Sequence, residues 1–315
     1  MDTAAESSVV PAENDRRIIV VVPAYNEAEK IGETIAELLN GTSDLVADGY
    51  EVRIYVVNDG STDETAQIAR EAGAHRVLTH KVNRGLGAAI RTGLAAARDD
   101  GAWVAVKFDA DLQHNPKDIR ALLQPVIDDE AEVVYGNRFQ RIEYRMPLVR
   151  RTGNRVFTWL MSRLTGWPLK DSQPGIFAVS RAYLANFYLP GDYNYTQQIL
   201  LDAFHKGMRF AHVSVAFRAR VSGKSFVSFR YPFKVLPQLL MVLVGVRPLR
   251  VFAPIGLFFL LLGFGVGSVE MVSWMAGYTS KPIVHTNLTQ ASILFGVQTL
   301  FFGLIADLIV KQNRR

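Results

Sequence analysis

Two aspartates and a glutamine alternate in the segment DADLQH (residues 109–114). In an extended segment, side chains at every second position point to the same side. Asp109, Asp111 and Gln113 could therefore direct three oxygen atoms toward one point. Hard oxygen ligands with an incomplete coordination shell suit Mg²⁺ or Mn²⁺, with phosphate oxygens and water completing the shell. The alternative is a polar turn in which Asn115 caps a following helix.

Two further polar clusters, PAYNE (23–27) and NDGS (58–61), have residue types that suit a nucleotide. Asp59 could accept a hydrogen bond from a base N–H, Tyr25 could pack on the base or ribose, and Glu27 could accept a ribose hydroxyl. Capping boxes offer another interpretation, with Asn26 paired to Glu29 and Ser61 to Glu64. The loop NRGLG (83–87) lacks the spacing of the common phosphate-binding glycine loops, so by itself it is only weak evidence for a ligand site.

The elements that must position these residues alternate between strand and helix. Apolar, β-branched runs predict strands at 18–22, 52–57, 75–79, 103–108 and 132–135. Helices are predicted at 27–39, 61–72, 87–98 and 116–128. This order is typical of an α/β fold with a mostly parallel, Rossmann-like sheet, in which ligands bind at the carboxyl ends of the strands. The less regular residues 138–225 are interpreted as an extension of the same domain.

The C-terminal region has the composition of a membrane anchor. Residues 251–269 and 282–306 carry no charged side chain, and each stretch is long enough to cross a bilayer as a helix. Arg247 and Arg250 precede the first stretch, Lys311, Arg314 and Arg315 follow the second, and the connection offers only Lys281. The positive-inside rule then predicts a two-span, multi-pass protein of the cell membrane, with the catalytic domain and both termini in the cytoplasm.

Four regions follow from this division: a disordered leader (1–17), the α/β domain (18–225), an interfacial segment (226–248) and the two-helix anchor (249–315). The interfacial segment alternates aromatic and basic residues and then becomes apolar, which favours amphipathic helices in the headgroup layer. A linker helix packed on the domain is the alternative. The leader has acidic residues and no apolar stretch, so it does not resemble a secretory signal.

Composition excludes some chemistry and leaves other kinds open. The chain has no cysteine, which excludes disulfides, thiolate metal sites and cysteine nucleophiles. Its net charge of +5 suits phosphorylated substrates, anionic lipids or nucleic acid equally. The basic residues are dispersed and no nucleic-acid-binding motif is visible, so nucleic acid is not expected as a partner.

The motifs together resemble those of the inverting GT-A glycosyltransferases, in the branch of dolichyl-phosphate mannose synthases and bacterial polyprenyl-phosphate glycosyltransferases. The segments that carry the resemblance are VPAYNE (22–27), VNDGSTD (57–63), NRGLGAA (83–89), DADLQH (109–114) and GNR (136–138). The resemblance implies a GT-A catalytic domain followed by C-terminal transmembrane helices. It also implies a divalent cation, a nucleotide-diphosphate sugar as donor and a polyprenyl phosphate lipid as acceptor.

The resemblance also implies roles for individual residues. The nucleotide sugar would be bound by Pro23, Tyr25, Glu27, Val57, Asp59, Asp109, Ala110, Asp111, Arg138 and Arg220. The lipid phosphate would be bound by Arg138, Arg151 and Arg220, because a guanidinium grips phosphate oxygens in a bidentate manner. For Arg151, together with Arg150, the alternative is a solvated basic patch that faces anionic headgroups. Asp109, Asp111 and Gln113 would hold the metal. The catalytic residues would be Asp109, Asp111 and Asp171, of which Asp171 would either orient the donor or acceptor or act as a weak base.

Several departures from the family pattern bear on these roles. Asn58-Asp59 stands where many members have two aspartates, and the segment 171–175 follows the family's Asp-x-x-x-Gly pattern only loosely. Gln198 stands near an acidic position of the family, and the lysine of the late basic motif (220–225) is displaced by one position. The Gln-x-x-Arg-Trp motif of processive polysaccharide synthases is absent from the sequence, which favours transfer of a single sugar.

Three alternatives remain open at this level. The donor could be GDP-mannose or a UDP-hexose. The acceptor could be another protein, a free sugar or a polysaccharide. The chain could also be a membrane protein that binds a sugar nucleotide without turnover. Gly256, Gly263, Gly265 and Gly267 could permit close helix contact within a homo-oligomer, or they could pack the two spans of one chain together.

Overall fold

A computed structural model describes residues 16–137, 148–189, 192, 195–218, 244, 245 and 248–312. The chain divides into two compact units, Met1–Val227 and Ser228–Arg315. Of the predicted leader, only residues 16 and 17 are described, and Arg17 already belongs to the first strand. The predicted interfacial helices (226–248) fall on residues of which only 244, 245 and 248 are described.

The first unit is an α/β domain built on a seven-stranded sheet. The strands are β1 (Arg17–Ala24), β2 (Glu51–Asn58), β3 (Arg76–Thr79), β4 (Val104–Lys107), β5 (Val133–Asn137), β6 (Phe177–Ser180) and β7 (Phe210–Ser214). The helices are α1 (Ile31–Gly41), α2 (Ser43–Ala47), α3 (Thr65–Glu71), α4 (Leu86–Asp99), α5 (Asp118–Ile127), α6 (Leu148–Thr165), α7 (Arg181–Asn186) and α8 (Tyr195–His205).

The strand order is β3-β2-β1-β4-β6-β5-β7, and β6 alone among these strands runs antiparallel to its neighbours. β1 lies in the middle of the parallel part, where Val20 is opposite Ile54 on one side and Val106 on the other. The mostly parallel, Rossmann-like sheet predicted from the sequence is confirmed. The carboxyl ends of β1, β2 and β4 consequently meet at one edge.

Strand β1 is buried on both faces, as its run of β-branched residues predicts. Apolar residues of α1 and α5 pack in one core cluster with Val20 and Val22. Helix α4 covers the other face, where a Cβ on Gly93 would lie 2.2 Å from Val21 Cγ1. Only glycine permits that close approach, so α4 lies directly on the strands that carry the site.

Two sequence-based expectations about this unit were wrong. Helices α1 and α3 begin at Ile31 and Thr65, four residues later than predicted, because the preceding loops form hydrogen bonds with each other. Region 138–225 is more regular than expected and contains β6, β7 and α6 to α8. Strands of four or five residues among polar loops have too little periodicity to be recognised from the sequence.

The second unit contains two long apolar helices, α9 (Pro248–Met275) and α10 (Thr286–Gln312). Their mean hydropathies over the most apolar windows are 2.1 and 2.2, and both helices are long enough to span a membrane. The predicted stretch 282–306 begins too early, because residues 282–285 belong to the connection. Glu270 is an acidic residue near the end of α9. It has a structural role, because its carboxylate accepts hydrogen bonds from the backbone N–H groups of Val284 and His285, just before α10.

Helices α9 and α10 pack through glycines. A Cβ on Gly256 would lie 2.9 Å from the carbonyl oxygen of Gly296, and one on Gly303 would lie 2.7 Å from Phe252 Cβ. Gly263 lies similarly close to α10, whereas a Cβ on Gly265 would have no neighbour within 4 Å. Gly256 and Gly263 therefore serve the packing of the two helices of one chain, which was one of the two expectations for these glycines.

Candidate functional site

A cavity of about 320 Å³ lies where strands β1, β2 and β4 end. Parallel strands place their carboxyl ends, and the loops that follow them, at this edge. The volume is within the usual range of small-molecule sites. The lining residues are Pro23, Ala24, Tyr25, Glu27, Asp59, Asn83, Gly85, Leu86, Ala89, Asp109, Ala110 and Asp111.

The loops after β1 and β2 are joined side by side by hydrogen bonds, an arrangement we call the two-loop clasp (residues 24–28 with 59–65). The Asn26 amide side chain accepts the N–H of Thr62 at 2.9 Å, and Ser61 Oγ accepts the N–H of Asn26 at 3.0 Å. Thr65 Oγ1 accepts the N–H of Glu27 at 2.9 Å, and Asp63 accepts that of Ala28. Asn26 has φ of 52°, a left-handed conformation that asparagine tolerates better than most residues.

The clasp corrects the capping interpretation. Asn26 and Ser61 do not cap α1 and α3, because their side chains bond across to the opposite loop. The clasp leaves Tyr25 at the rim of the cavity with 46% of its surface exposed. A tyrosine ring held in this way is available to stack on a planar ligand.

Asp59 is buried and accepts hydrogen bonds on both carboxylate oxygens. Oδ1 accepts from His80 Nδ1 at 2.6 Å and from the Arg84 backbone N–H at 3.0 Å, and Oδ2 accepts from the Gly85 N–H at 2.8 Å. The other ring nitrogen of His80 pairs with Thr92 Oγ1 at 2.9 Å. Asp59 therefore fixes the loop before α4 against the end of β2, and this accounts for the place of Asn83, Gly85 and Leu86 in the lining.

The carboxylate loop (109–113) is not extended. Leu112 has φ of 59°, so the chain turns between Asp111 and Gln113. Asp109 and Asp111 line the cavity. Gln113 is buried, and its side-chain amide donates to the carbonyl of Arg218 at 3.3 Å. The extended geometry behind the three-ligand prediction was therefore wrong, and the structure brings two of the three residues to the cavity.

Lys107 is a buried lysine at the end of β4, directly behind the carboxylate loop. Its Nζ donates to Asp109 Oδ1 and to the carbonyl of Gly175, each at 2.5 Å. Burial opposes the charged form, but the carboxylates of Asp109 and Asp111 and the Tyr195 side chain outweigh it and raise the pKa of Lys107. A protonated Lys107 thus orients Asp109 and holds the segment 171–175 close to it.

The same segment is fixed from its other end by α6. Asp171 is fully buried, and its Oδ1 accepts from Asn154 Nδ2 at 3.2 Å and from the Gln173 N–H at 2.9 Å. Ser172 pairs with Thr158 of the same helix. Asp171 therefore lies behind the cavity and is not among its lining residues.

The side chains at the cavity fit a divalent cation. Among the described residues, no group of three His, Asp or Glu side chains is arranged to hold a metal ion. Asp109 and Asp111 nevertheless line the same cavity, each with one carboxylate group. Such a hard and incomplete donor set suits Mg²⁺ or Mn²⁺, because these ions accept phosphate oxygens and water as further ligands.

The structure brings together most of the predicted nucleotide-binding residues. Pro23, Tyr25, Glu27, Asp59, Asp109, Ala110 and Asp111 all line the cavity. Val57 is fully buried in β2 and is absent from the lining. Arg138 and Arg220 lie outside the described residues, and Arg151 lies in α6 with a side chain that is not described.

Sequence reasoning missed Lys107 and His80. Lys107 left a signal, because a lysine interrupts the apolar run WVAVKF (103–108) that was predicted to be a buried strand. A charged residue in such a strand needs a partner. His80 left no signal of this kind, since its partner Asp59 is distant in the sequence and is found only through the fold.

Comparison with known families agrees with this geometry. The glycosyl transferase family 2 domain matches residues 19–187, which include every residue of the cavity. A second domain, the GtrB C-terminal hairpin, matches residues 247–311, which cover α9 and all of α10 except its last residue.

Two proteins that are similar to this chain have names that include a dolichyl or dodecaprenyl phosphate. UDP-N-acetylglucosamine–dolichyl-phosphate N-acetylglucosaminyltransferase of Methanococcus voltae is 35% identical over 54% of this chain and 72% of its own length. Dodecaprenyl-phosphate galacturonate synthase of Rhizobium johnstonii is 26% identical over 94% of this chain and 88% of its own length.

Among solved structures, glucosyl-3-phosphoglycerate synthase of Mycobacterium tuberculosis is 26% identical, with a TM-score of 0.54. The alignment covers 73% of this chain and 80% of that enzyme. Other crystals of that enzyme hold UDP with Mn²⁺ or Mg²⁺. The shared architecture is the GT-A fold, and with the domain match over more than half of its length the chain belongs to glycosyl transferase family 2.

Proposed function

We propose that the chain transfers a single sugar from a nucleotide-diphosphate sugar to a polyprenyl phosphate lipid at the cytoplasmic face of the membrane. GDP-mannose and UDP-hexoses are the candidate donors. The observation that carries the proposal is the cavity in which Tyr25, Asp59, Asp109 and Asp111 converge at the ends of three parallel strands. The names of the Methanococcus and Rhizobium relatives support the choice of acceptor.

The cavity offers one group for each part of a nucleotide sugar. Tyr25 would stack on the base, Glu27 would accept a ribose hydroxyl, and Asp59, which already bonds His80, would accept from the base through a remaining lone pair. Asp109 and Asp111 would hold Mg²⁺ or Mn²⁺, which would neutralise the charge growing on the leaving diphosphate. A ligand role for Gln113 stays a prediction, as do the phosphate-binding roles of Arg138, Arg151 and Arg220.

With a lipid phosphate as acceptor, catalysis does not require a general base, so Asp171 can be buried away from the substrate. A phosphate monoester has a second pKa of about 6 and is mostly a dianion near neutral pH. Its oxygen can attack the anomeric carbon without a strong general base, as the bond to the diphosphate breaks and the configuration inverts. We therefore propose that Asp171 positions the 171–175 segment, through Asn154 and the Gln173 N–H, beside Asp109.

The test is transfer by the purified full chain in vesicles that contain undecaprenyl phosphate. A donor panel of GDP-mannose and UDP-hexoses is assayed with Mn²⁺, with Mg²⁺ and with EDTA, and lipid-linked sugar is measured. Parallel reactions replace the lipid phosphate by a free sugar, a protein or water. Transfer to one of these acceptors and not to the lipid would contradict the proposal, and so would the absence of any turnover.

The Asp111→Asn variant tests the carboxylate role. Loss of one metal ligand removes several kcal/mol of transition-state stabilisation, so we expect transfer to fall by about 100-fold or more. Asp99→Asn is the matched control, because Asp99 is an exposed aspartate at the end of α4. Near-normal transfer by Asp111→Asn, with the same metal requirement, would refute the assignment.

A further inference from the structure

Helix α6 has two distinct faces. Asn154, Met161 and Thr165 are buried, and they recur at the spacing of one helix face. The opposite side presents exposed residues at an equivalent spacing: Arg155, Val156, Trp159 and Arg163. Trp159 is 65% exposed and Val156 is 47% exposed. The apolar residues of this outer face are not required for the core, because the inner face already packs on the domain.

The inner face fixes where α6 lies. Asn154 bonds Asp171 and Thr158 bonds Ser172, and the same segment reaches Lys107 behind the carboxylate loop through the Gly175 carbonyl. The helix is therefore held at the carboxyl edge of the sheet, the edge at which the cavity opens. The outer face is thus carried by a helix that is tied to the residues behind the site.

The composition of this face fits a lipid headgroup layer. Tryptophan prefers the membrane interface, where its apolar ring lies at the level of the headgroups and its N–H reaches water. Arg155 and Arg163 lie four residues before and after Trp159, and α6 contains four arginines and no acidic residue. Basic side chains beside an exposed aromatic ring complement an anionic surface.

We propose that the outer face of α6, formed by Arg155, Val156, Trp159 and Arg163, docks onto anionic lipid headgroups. The inference rests on the proposed function for its choice of a bilayer as the partner, because a lipid acceptor must reach the cavity edge. Docking adds a membrane contact on the α/β domain itself, distinct from the two apolar helices. Trp159 inserts between headgroups while the two arginines pair with lipid phosphates.

The absence of cysteine in the sequence makes a site-specific fluorescent probe straightforward. Val156→Cys in the full chain is labelled with an environment-sensitive fluorophore and reconstituted in vesicles of phosphatidylcholine with phosphatidylglycerol. Val46→Cys is the matched control, since Val46 is a 55% exposed valine in α2, near the start of β2 at the opposite edge of the sheet. Quenching by lipids that carry a doxyl group near the headgroup is measured without any donor.

We expect several-fold stronger quenching at position 156 than at position 46. Replacing Arg155 and Arg163 by glutamine should lower the ratio of docked to undocked α6 about fivefold for each arginine, because a basic residue near an anionic surface contributes about 1 kcal/mol. Trp159→Ala should also reduce the quenching. An unchanged thermal unfolding midpoint confirms that these exposed substitutions leave the fold intact.

Equal quenching at the two positions would overturn the proposal. An emission shift at position 156 that follows the protein-to-lipid ratio and is insensitive to quencher lipid would also overturn it, because it indicates contact between copies of the chain. The readout is independent of turnover. Quenching without sugar transfer would therefore refute the proposed function but not the docking surface. Sugar transfer without quenching would refute the docking surface but not the proposed function.

Discussion

Lys107 is the residue at which the cavity and the segment 171–175 meet. Its side chain is only 1% exposed, and its ammonium group has two oxygen partners, one on Asp109 and one on Gly175. A buried cation of this kind is stable because Asp109 and Asp111 supply negative charge nearby. Lys107 therefore shares Asp109 with any cation that binds in the cavity.

Lys107→Met should destabilise the domain by about 3–5 kcal/mol, because it leaves a carboxylate and a carbonyl without their buried partner. Addition of Mn²⁺ should restore part of this loss, since a second cation can neutralise Asp109. The measurement is the thermal unfolding midpoint with and without Mn²⁺. We expect a larger upward shift from Mn²⁺ in the variant than in the unaltered protein.

Lys117→Met is the control, because Lys117 is an exposed lysine next to the start of α5. Its Mn²⁺-induced shift should equal that of the unaltered protein. An equal shift in all three proteins would contradict a metal site at Asp109.

At this scale the sequence predicted the residues that follow strands directly. Asp59, Asp109 and Asp111 were found because each stands just beyond an apolar run, and strand ends of a parallel sheet share one edge. Gln113 could not be placed, because the left-handed turn at Leu112 has no signature in a sequence without glycine there. Lys107 and His80 depend on partners brought close only by folding.

At the scale of elements, β7 is tied to the segment before Asp171 by His212. The His212 Nε2 accepts the Lys170 N–H at 3.0 Å. Burial lowers the pKa of His212 to about 4, although the Tyr135 backbone and the charge of Asp171 act in the opposite direction. The neutral ring is therefore the form that the fold requires.

Stability should fall as His212 is forced to bind a proton. Its pKa is lowered on folding from an unfolded value of about 6.5, so its contribution is complete above that pH and is lost as the pH falls toward about 4. The expected loss is up to about 3 kcal/mol. The difference in unfolding midpoint between the unaltered protein and His212→Gln should change across this window, since glutamine can accept the same N–H without titrating. A difference in unfolding midpoint that stays constant with pH would contradict a role for His212 protonation in stability.

Helix packing in the second unit gives another prediction. A side chain at position 296 would enter the contact between α9 and α10, where the Cβ alone would lie 2.8 Å from the Gly256 carbonyl oxygen. Gly296→Leu should therefore cost about 1–3 kcal/mol or more through overpacking. Gly265→Leu should be tolerated, because no atom lies within 4 Å of a Cβ there. Detergent-induced unfolding of the two variants measures the difference, and equal stabilities would refute this packing.

The elements that could be predicted were those with a strong period or a long apolar run. β1 to β5, the helices α4 and α5, and the two apolar C-terminal helices belong to this class, as do α1 and α3 apart from their later starts. β6 and β7 are short and lie among polar loops, and the antiparallel direction of β6 is set by pairing with β4 and β5. Pairing between distant segments is a tertiary property that local patterns do not encode.

For the whole molecule, the division into an α/β unit and an apolar helical hairpin agrees with the order of composition along the chain. The charge pattern around the hairpin predicts its orientation, with residues 276–285 outside the cell and the two flanks in the cytoplasm. The place of the interfacial segment (226–248) at the bilayer surface stays a prediction.

Single cysteines test this orientation, since the sequence has none of its own. Tyr278→Cys lies in the connection between the helices, where Tyr278 is 85% exposed, and Gln312→Cys lies at the end of α10. A membrane-impermeant maleimide should label position 278 in intact cells and position 312 only after the membrane is opened. The reverse pattern would mean that the catalytic unit faces outward.

The two-loop clasp has a consequence for molecular discrimination. Asn26, Ser61 and Asp63 join the two loops through hydrogen bonds within the protein. The shape of the cavity around Tyr25 and Asp59 therefore exists before a ligand binds. Preorganised walls spend little free energy on ordering. Choice between pyrimidine and purine should then already operate on bare nucleosides, and a change of preference would arise from substitutions in these walls rather than from altered loop motion.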